Sequence, residues 1–214
     1  MTMNRDLYDY AEQHSTPQPS YLHDLERRTN IHLINGRMCS GLLQGRVLKM
    51  LVSMIRPKRV LELGTFSGFS SMCIAEAIGE DATVDTIEID DELEDFIRNS
   101  FSLAPCGRKI NLHLGSAEEL LKDWEPETFD LAFLDADKRR YCEDFDLVFP
   151  LVKPGGFIFA DNTLWDGHVT DPDKATDPQT RGICEFNDMI RRRADVEAVL
   201  LPLRDGLTLI RKLP

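Results

Sequence analysis

Residues 60–70, with the sequence VLELGTFSGFS, constrain the fold of this chain more than any other stretch. An apolar strand enters a turn that contains Gly64 and Gly68, and a helix follows. Glycine lets the backbone approach a ligand closely, and the free N–H groups of the first helical turn can then face that ligand. Glu88 lies 24 positions beyond Gly64, about where such folds place an acid that binds a ribose diol. We therefore predict a strand, turn and helix that bind a nucleoside.

This turn differs from the dinucleotide fingerprint. The pattern G-x-G-x-x-G would require glycine where Phe66 and Phe69 stand. The turn is therefore wider and less suited to a pyrophosphate, and a nucleoside without phosphates fits it better. A nicotinamide-dependent oxidoreductase is an alternative that this difference disfavours.

Length and composition indicate one well-buried domain, because the chain has 214 residues of which 42% are hydrophobic. We predict a single domain over residues 1–214, with N-terminal helices and a lid over 1–56 and an α/β core over 57–214. The 25 basic and 37 acidic residues give a net charge of −12, which opposes loose binding to nucleic acid or to an anionic membrane.

Cysteine usage and the absence of targeting signals point to the cytoplasm. The five cysteines include no C-x-x-C pair, so we expect reduced thiols. No apolar run approaches the roughly 20 residues of a membrane span, and the N-terminus carries no signal-peptide core. We expect a cytoplasmic protein without a membrane partner.

The periodicity of apolar residues changes near residue 60. Helical spacing before that point predicts helices over 7–13, 21–28 and 42–55. Short apolar strands then alternate with amphipathic helices, which is typical of parallel βαβ units. The predicted strands are 59–64, 83–89, 109–114, 129–135 and 155–161, and the predicted helices are 68–79, 91–103, 116–122, 138–149 and 180–194.

The chain ends in two further apolar runs, 196–203 and 206–212, on either side of the hairpin signal Asp205-Gly206. The prediction is thus an α/β fold: a doubly wound, mostly parallel, seven-stranded sheet with an antiparallel C-terminal hairpin, preceded by N-terminal helices. Ligands bind such sheets at the carboxyl ends of the strands.

Three oxygen-bearing side chains follow the fourth and fifth predicted strands. Asp135 comes after the fourth strand, and Asp161 and Asn162 end the fifth. If these strands are parallel, the three side chains converge on one edge of the sheet. Carboxylate and amide oxygens are the hard ligands that Mg²⁺ accepts, with water or substrate completing the octahedron. The structural alternative is that each of them caps a helix or a turn.

Lys138 opens a predicted helix, where the macrodipole disfavours a cation. One interpretation is a plain ion-pair cluster with Asp135 and Asp137. The other is a lysine beside a divalent ion, whose positive charge would lower the lysine pKa towards that of a general base. Trp165, three residues after Asn162, could form an aromatic wall for a flat substrate.

Taken together, these motifs resemble the divalent-metal-dependent, S-adenosylmethionine-dependent O-methyltransferases, the group of the caffeoyl-CoA and catechol O-methyltransferases and their bacterial relatives. The resemblance runs nearly end to end, through the Tyr10-Ala11 helix, residues 60–70, 133–138 (FLDADK), 160–165 (ADNTLW) and 201–207 (LPLRDGL). It implies a Rossmann-like class I methyltransferase fold.

The resemblance also implies roles for individual residues. Lys138 and Asp135 would be catalytic, and Asp135, Asp161 and Asn162 would bind the metal, which is Mg²⁺, Mn²⁺ or Ca²⁺. The positions that would contact S-adenosylmethionine are Ser40, Glu62, Gly64, Thr65, Ser70, Glu88, Asp135 and the backbone at Ala117. The positions that would face the substrate are Met38, Trp165, Asp166 and Asp205.

The implied reaction moves a methyl group to a hydroxyl of a catechol-like or vicinal-diol small molecule, with metal assistance and Lys138 as general base. Two alternatives remain: an O-methyltransferase that acts on hydroxyuridine in tRNA, and a non-catalytic cofactor-binding protein. The net charge disfavours the RNA substrate. The resemblance further implies a homodimer.

Overall fold

The computed structural model describes residues 5–214, so residues 1–4 of the predicted N-terminal segment lie outside the described residues. The helices are α1 (Arg5–Gln13), α2 (Ser20–His32), α3 (Leu42–Ile55), α4 (Phe69–Ala77), α5 (Glu94–Ser102), α6 (Ala117–Leu121), α7 (Tyr141–Val148) and α8 (Pro178–Arg192). The strands are β1 (Arg59–Leu63), β2 (Thr83–Glu88), β3 (Ile110–Leu114), β4 (Phe129–Leu134), β5 (Val152–Asp161), β6 (Val196–Leu201) and β7 (Leu207–Lys212).

The seven strands form one sheet in the order β3-β2-β1-β4-β5-β7-β6. The pairs β2–β3, β1–β4 and β4–β5 are parallel, whereas β7 pairs antiparallel with β5 and with β6. This arrangement confirms the predicted fold class, including the antiparallel hairpin at the C-terminus. β1 and β4 are almost wholly buried, as expected of parallel strands that are covered on both faces.

The chain divides into two compact units, which are described separately. Among the described residues, the first contains 5–58 and 65–114. In it, α3 packs closely on α4, because a Cβ at Gly45 would lie 2.9 Å from Cys73 Sγ and from the ring of Phe69. Arg46 and Lys49 of α3 also form ion pairs with Glu76 of α4, at 2.8 and 2.7 Å.

The second unit contains residues 59–64 and 115–214, and it carries β1 and β4 to β7 together with α6, α7 and α8. Its core includes the fully buried Phe145 and Phe186, and Phe186 packs edge-on against the buried ring of Tyr141. Each such side chain contributes roughly 1.5–3 kcal/mol when it leaves water. The prediction of a single domain over residues 1–214 stays a prediction.

Element boundaries agree closely with the sequence prediction, and two differences have local causes. β5 begins at Val152, three residues before the predicted start, and its pairing with β4 shifts register between Phe129 and Leu131. The predicted helix over 138–149 begins instead as a 3-10 turn, Lys138–Arg140, which is capped by the side chain of Asp137.

The segment Gly36–Ile55 corrects the expectation that no apolar run approaches the length of a membrane span. By length and composition Gly36–Ile55 could cross a membrane, with a mean hydropathy of 1.2. Core helices of soluble proteins meet the same criterion. The backbone at Gly41, with φ of 78°, separates a 3-10 turn at Gly36–Met38 from α3, and the ion pairs to Glu76 join α3 to α4.

Candidate active site

The carboxyl ends of three neighbouring strands of the second unit share one edge of the sheet. In the parallel register Leu63 pairs with Leu134, and Leu134 pairs with Ala160. The residues that follow these three, Gly64, Asp135 and Asp161, therefore lie side by side. The sequence prediction that the acids of β4 and β5 meet at one edge agrees with this register.

Gly64 allows two of these strand ends to approach each other. Its φ is +96°, and a Cβ at this position would overlap the backbone oxygen of Asp135 and lie 2.7 Å from its carbonyl carbon. The amide of Asp135 donates to Leu63 O at 2.9 Å. The glycine is thus required by backbone geometry, independently of any ligand.

Asp161 and Asn162 lie next to each other at the end of β5. Asp161 is 1% exposed, and its carboxylate accepts a hydrogen bond from the amide of Asn162 at 2.8 Å. Burial raises the pKa of Asp161, and the nearby charge of Asp135 raises it further, while Lys138 and Arg204 act in the opposite direction. Asn162 has φ of +57°, a conformation that asparagine tolerates better than most residues.

Lys138 lies beside these acids with only 8% of its surface exposed. Its Nζ donates to Asp135 Oδ1 at 2.6 Å and to the hydroxyl of Tyr141 at 2.8 Å. These contacts account for two of the three N–H donors of an ammonium group. The ion pair that the sequence suggested is therefore present, and it is formed inside a mostly buried cluster.

Tyr141 belongs to this cluster and is also part of the buried core. Its hydroxyl lies 2.8 Å from Asp161 O and 3.2 Å from Leu134 O, and its side chain is fully buried. Burial raises the pKa of Tyr141 well above its usual value, and the charges of Asp135, Asp161 and Asp144 add to this, so the hydroxyl keeps its proton. The signal was the spacing of three residues from Lys138, which places the two side chains on one helical face.

Asp137, which the sequence offered as an ion-pair partner of Lys138, caps the turn that carries this lysine. Its carboxylate accepts from the amide of Arg139 at 3.0 Å and pairs with the guanidinium of the same residue. The hydrogen bond from that guanidinium lowers the pKa of Asp137. Both of these contacts hold Asp137 to Arg139, within the turn that carries Lys138.

The loop after Asn162 is held by the β6–β7 turn. The backbone oxygen of Asp205 accepts from the amides of Leu164 at 2.7 Å and Trp165 at 3.2 Å. Trp165 and Asp166 both have positive φ, at 46° and 53°, which is uncommon for such residues. Strained backbone of this kind clusters at ligand sites. Trp165 is half-buried and Asp166 is exposed.

In the first unit, Glu88 fixes the turn after β1. Its Oε2 accepts from the amide of Phe66 at 2.7 Å, and its Oε1 accepts from the amide of Asp90 at 3.0 Å. A carboxylate has about four acceptor sites, so Glu88 can hold the turn and still accept from a diol. Thr65 is tied to β2 through its hydroxyl, 2.6 Å from that of Thr86.

The other predicted cofactor and substrate residues differ in burial and lie on several elements. Ser70 is buried in the first turn of α4, and Gly68, with φ of 85°, precedes that helix. Ser40 is buried just before α3, whereas Met38 is 53% exposed. In the second unit, Glu62 is fully buried on β1 and Ala117 begins α6.

The chemistry of the strand-end residues fits a divalent cation. Two carboxylates and an amide supply hard oxygen donors. Burial is the main cause of the raised pKa of Asp161, and a bound cation would offset both that burial and the smaller repulsion from Asp135. Within residues 5–214, no group of three or more His, Cys, Asp and Glu side chains is arranged to hold a metal. The predicted set contains only two residues of those types.

Comparison with known proteins defines the class. The sequence model of the O-methyltransferase family matches residues 12–213. The probable caffeoyl-CoA O-methyltransferase 2 of Dictyostelium discoideum is 31% identical over 98% of this chain and 93% of its own length. The catechol O-methyltransferase of Niastella koreensis is 32% identical over 75% of this chain and 73% of its own length.

A solved structure agrees along the whole chain. The O-methyltransferase TomG of Streptomyces achromogenes, in complex with S-adenosylmethionine, has a TM-score of 0.87 and 26% identity, with all of both chains covered. The fold is thus that of a Rossmann-like methyltransferase. The chain belongs to the O-methyltransferase family. The predicted resemblance and the predicted enzyme class, an S-adenosylmethionine-dependent O-methyltransferase, are confirmed.

Proposed function

We propose that this enzyme transfers the methyl group of S-adenosylmethionine to one hydroxyl of a vicinal diol on a small phenolic molecule of the catechol type, with a divalent cation and Lys138 as general base. The observation that carries the proposal is the mostly buried Lys138, 2.6 Å from Asp135 at the edge where Asp161 also ends its strand. The names of the relatives, a caffeoyl-CoA and a catechol O-methyltransferase, support the acceptor class.

We propose the following contacts to the methyl donor. Glu88 would accept hydrogen bonds from the ribose hydroxyls while its backbone contacts keep the 65–68 turn in place. Ser40, Glu62, Gly64, Thr65, Ser70, Asp135 and the backbone at Ala117 are the remaining proposed contacts. S-adenosylmethionine carries its methyl group on a sulfonium sulfur. When the methyl group is transferred, the sulfur leaves as part of a neutral thioether, so no acid is needed to protonate the leaving group.

Asp135, Asp161 and Asn162 would hold the divalent cation, which is Mg²⁺, Mn²⁺ or Ca²⁺. A bound cation would supply Lewis-acid stabilisation of the ionised hydroxyl. Lys138 would accept the proton of that hydroxyl at Nζ, and Asp135 and Tyr141 would then stabilise the resulting ammonium at the distances seen here. The oxygen forms its bond to the methyl carbon as the sulfur–carbon bond breaks.

Positioning is the larger part of this catalysis. A well-oriented pair of reactants can gain roughly 7–11 kcal/mol over the same reaction in solution. Met38, Trp165, Asp166 and Asp205 are the proposed acceptor contacts, and the half-buried Trp165 offers a flat apolar face to an aromatic ring. We also propose that the protein acts in the cytoplasm as a homodimer.

The test is transfer of labelled methyl from S-adenosylmethionine to caffeic acid, with Mg²⁺ and with excess chelator. Lys138→Met should lower kcat at least 100-fold. Lys153→Met is the matched control, since Lys153 forms an equally short ion pair, 2.6 Å to Asp130, at the opposite end of β5. Equal activity with and without chelator would refute the metal role.

Transfer to RNA and not to catechols would support the alternative substrate, hydroxyuridine in tRNA. That outcome should come with steep dependence of RNA binding on salt. Cofactor binding without transfer to either acceptor would support a non-catalytic protein.

A further inference from the structure

The hydroxyl of Tyr141 connects Lys138 to the backbone of two strands. It accepts a hydrogen bond from Lys138 Nζ at 2.8 Å. Having one proton, it donates to Asp161 O at 2.8 Å, with Leu134 O at the longer distance of 3.2 Å. These two carbonyls belong to the ends of β5 and β4. A single side-chain atom thus ties the lysine to both strand ends.

Lys138 needs more than one contact to be held in place. Its side chain has four flexible carbon–carbon links, and ordering it costs up to about 2 kcal/mol of conformational entropy. The ion pair with Asp135 Oδ1 restrains the distance of Nζ from one point only. The second contact, to Tyr141, fixes the direction in which the remaining N–H, or the lone pair of the neutral amine, is aimed.

Tyr141 is itself rigid. Its side chain is fully buried, and its ring packs edge-on against Phe186 with centroids 5.3 Å apart and planes at 84°. It begins α7 immediately after the Lys138–Arg140 turn. The hydroxyl therefore cannot follow the lysine, and the lysine takes its position from the tyrosine.

We propose that Tyr141 is a positioning residue, which holds Lys138 Nζ at a fixed place relative to the strand ends that carry Asp135 and Asp161. The inference rests on the proposed function, because it assigns Tyr141 an effect on turnover through the proposed base. Tyr141 touches neither methyl donor nor acceptor in this role. Its effect should fall on kcat and leave the KM for S-adenosylmethionine within twofold.

The test uses Tyr141→Phe, which keeps the ring and its packing on Phe186 and removes only the hydroxyl. We expect kcat to fall 10- to 100-fold, the size of effect that a misplacement of about 1 Å produces. Tyr21→Phe is the matched control, because it also removes a hydroxyl with a contact to a buried side chain, 3.9 Å from Cys106 Sγ, outside this cluster. Its kcat should equal that of the wild type.

A second readout does not depend on activity. Acetic anhydride labels lysine amines, and mass spectrometry gives the extent at each site. Lys138 should be protected in the wild-type protein and labelled several-fold faster in Tyr141→Phe, while the labelling of Lys153, whose side chain is 43% exposed, should not change.

The outcomes separate the two proposals. Unchanged kcat in Tyr141→Phe overturns the inference, and so does a fall in kcat without faster labelling of Lys138, since Tyr141 would then act by another route. If the wild type transfers no methyl group, or if Lys138→Met is fully active, the proposed function fails instead. The labelling still decides whether Tyr141 holds the lysine.

Discussion

Gly182 of α8 lies against the backbone of Lys138. A Cβ at position 182 would overlap the carbonyl oxygen of Lys138 and lie 2.9 Å from Arg139 Cα. Neither is the end of a flexible side chain, so neither can rotate away. Helix α8 therefore supports the turn of the proposed base by direct contact between main chains.

Gly182→Ala should consequently displace the Lys138–Arg140 turn or push α8 outward. Overpacking of this kind costs typically 1–3 kcal/mol, so we expect about that loss in the free energy of unfolding, together with a lower kcat. Urea denaturation and the methyl-transfer assay measure both. Gly79→Ala is the control, because a Cβ there would meet nothing within 4 Å. Equal stability of the two variants would contradict the contact.

Asp144 gives a prediction for pH. Burial raises its pKa from 3.8 to about 6, so the folded state favours the protonated acid. The native state binds more protons than the unfolded state between these two values, so this residue lowers stability as pH rises from about 4 to about 6, with no further loss above. Asp144→Asn should therefore stabilise the protein at pH 7.5 by roughly 1–3 kcal/mol and have little effect at pH 4.

The difference in Tm between variant and wild type at the two pH values isolates this effect from other titrating groups. Asp146→Asn, on the same helix with its side chain 64% exposed, is the control for the change from acid to amide itself. A Tm difference for Asp144→Asn that is the same at both pH values would show that desolvation of the charged acid is not its cause.

Asn162 allows the proposed metal site to be altered without backbone strain. Its φ is +57°, which glycine adopts freely, so Asn162→Gly removes the amide oxygen and keeps the turn. We expect the Mg²⁺ concentration for half-maximal activity to rise at least tenfold. Glu127→Gly is the control, since exposed Glu127 also has positive φ, 53°, and precedes β4 at its amino end. An unchanged Mg²⁺ requirement in Asn162→Gly would argue against the amide as a ligand.

Glu88→Gln should weaken cofactor binding. An amide in place of the carboxylate brings an N–H donor towards the amide of Phe66 or of Asp90 and removes acceptor capacity for the ribose. Loss of a hydrogen bond to a charged group costs about 1.5–3 kcal/mol, so the Kd for S-adenosylhomocysteine should rise roughly 10- to 150-fold by calorimetry. Glu92→Gln, an exposed neighbour, should bind as the wild type does.

Much of the fold could be predicted from the sequence, because strand and helix periods alternate plainly after residue 60. Helix α3 has the predicted bounds, and β1 differs from its prediction by one residue. The start of β5 could not be predicted, since the strand begins before a Gly-rich segment that is typical of a turn, and its pairing with β4 shifts register there.

Site residues that come directly after predicted strands could be identified from the sequence. Residues whose role depends on a tertiary contact could not. Register brings Asp135 and Asp161 together as expected. The role of Tyr141 required knowing that its hydroxyl reaches two backbone carbonyls, and the role of Gly182 required knowing which helix covers the turn. Neither distance is encoded in local spacing.

Gly64, Asp135 and Asp161 lie side by side at the ends of neighbouring strands, and the sheet fixes their positions independently of the loops that follow. Neighbouring strands lie about 4.8 Å apart, and backbone hydrogen bonds maintain that spacing whatever side chains the loops carry. The loop after Asn162 and the β6–β7 turn are held to each other by their own main-chain contacts, through Asp205 and Leu164. The proposed acceptor contacts Trp165, Asp166 and Asp205 lie in these two loops, so substitutions of their side chains should change acceptor preference under that proposal while the sheet keeps the spacing of the acids.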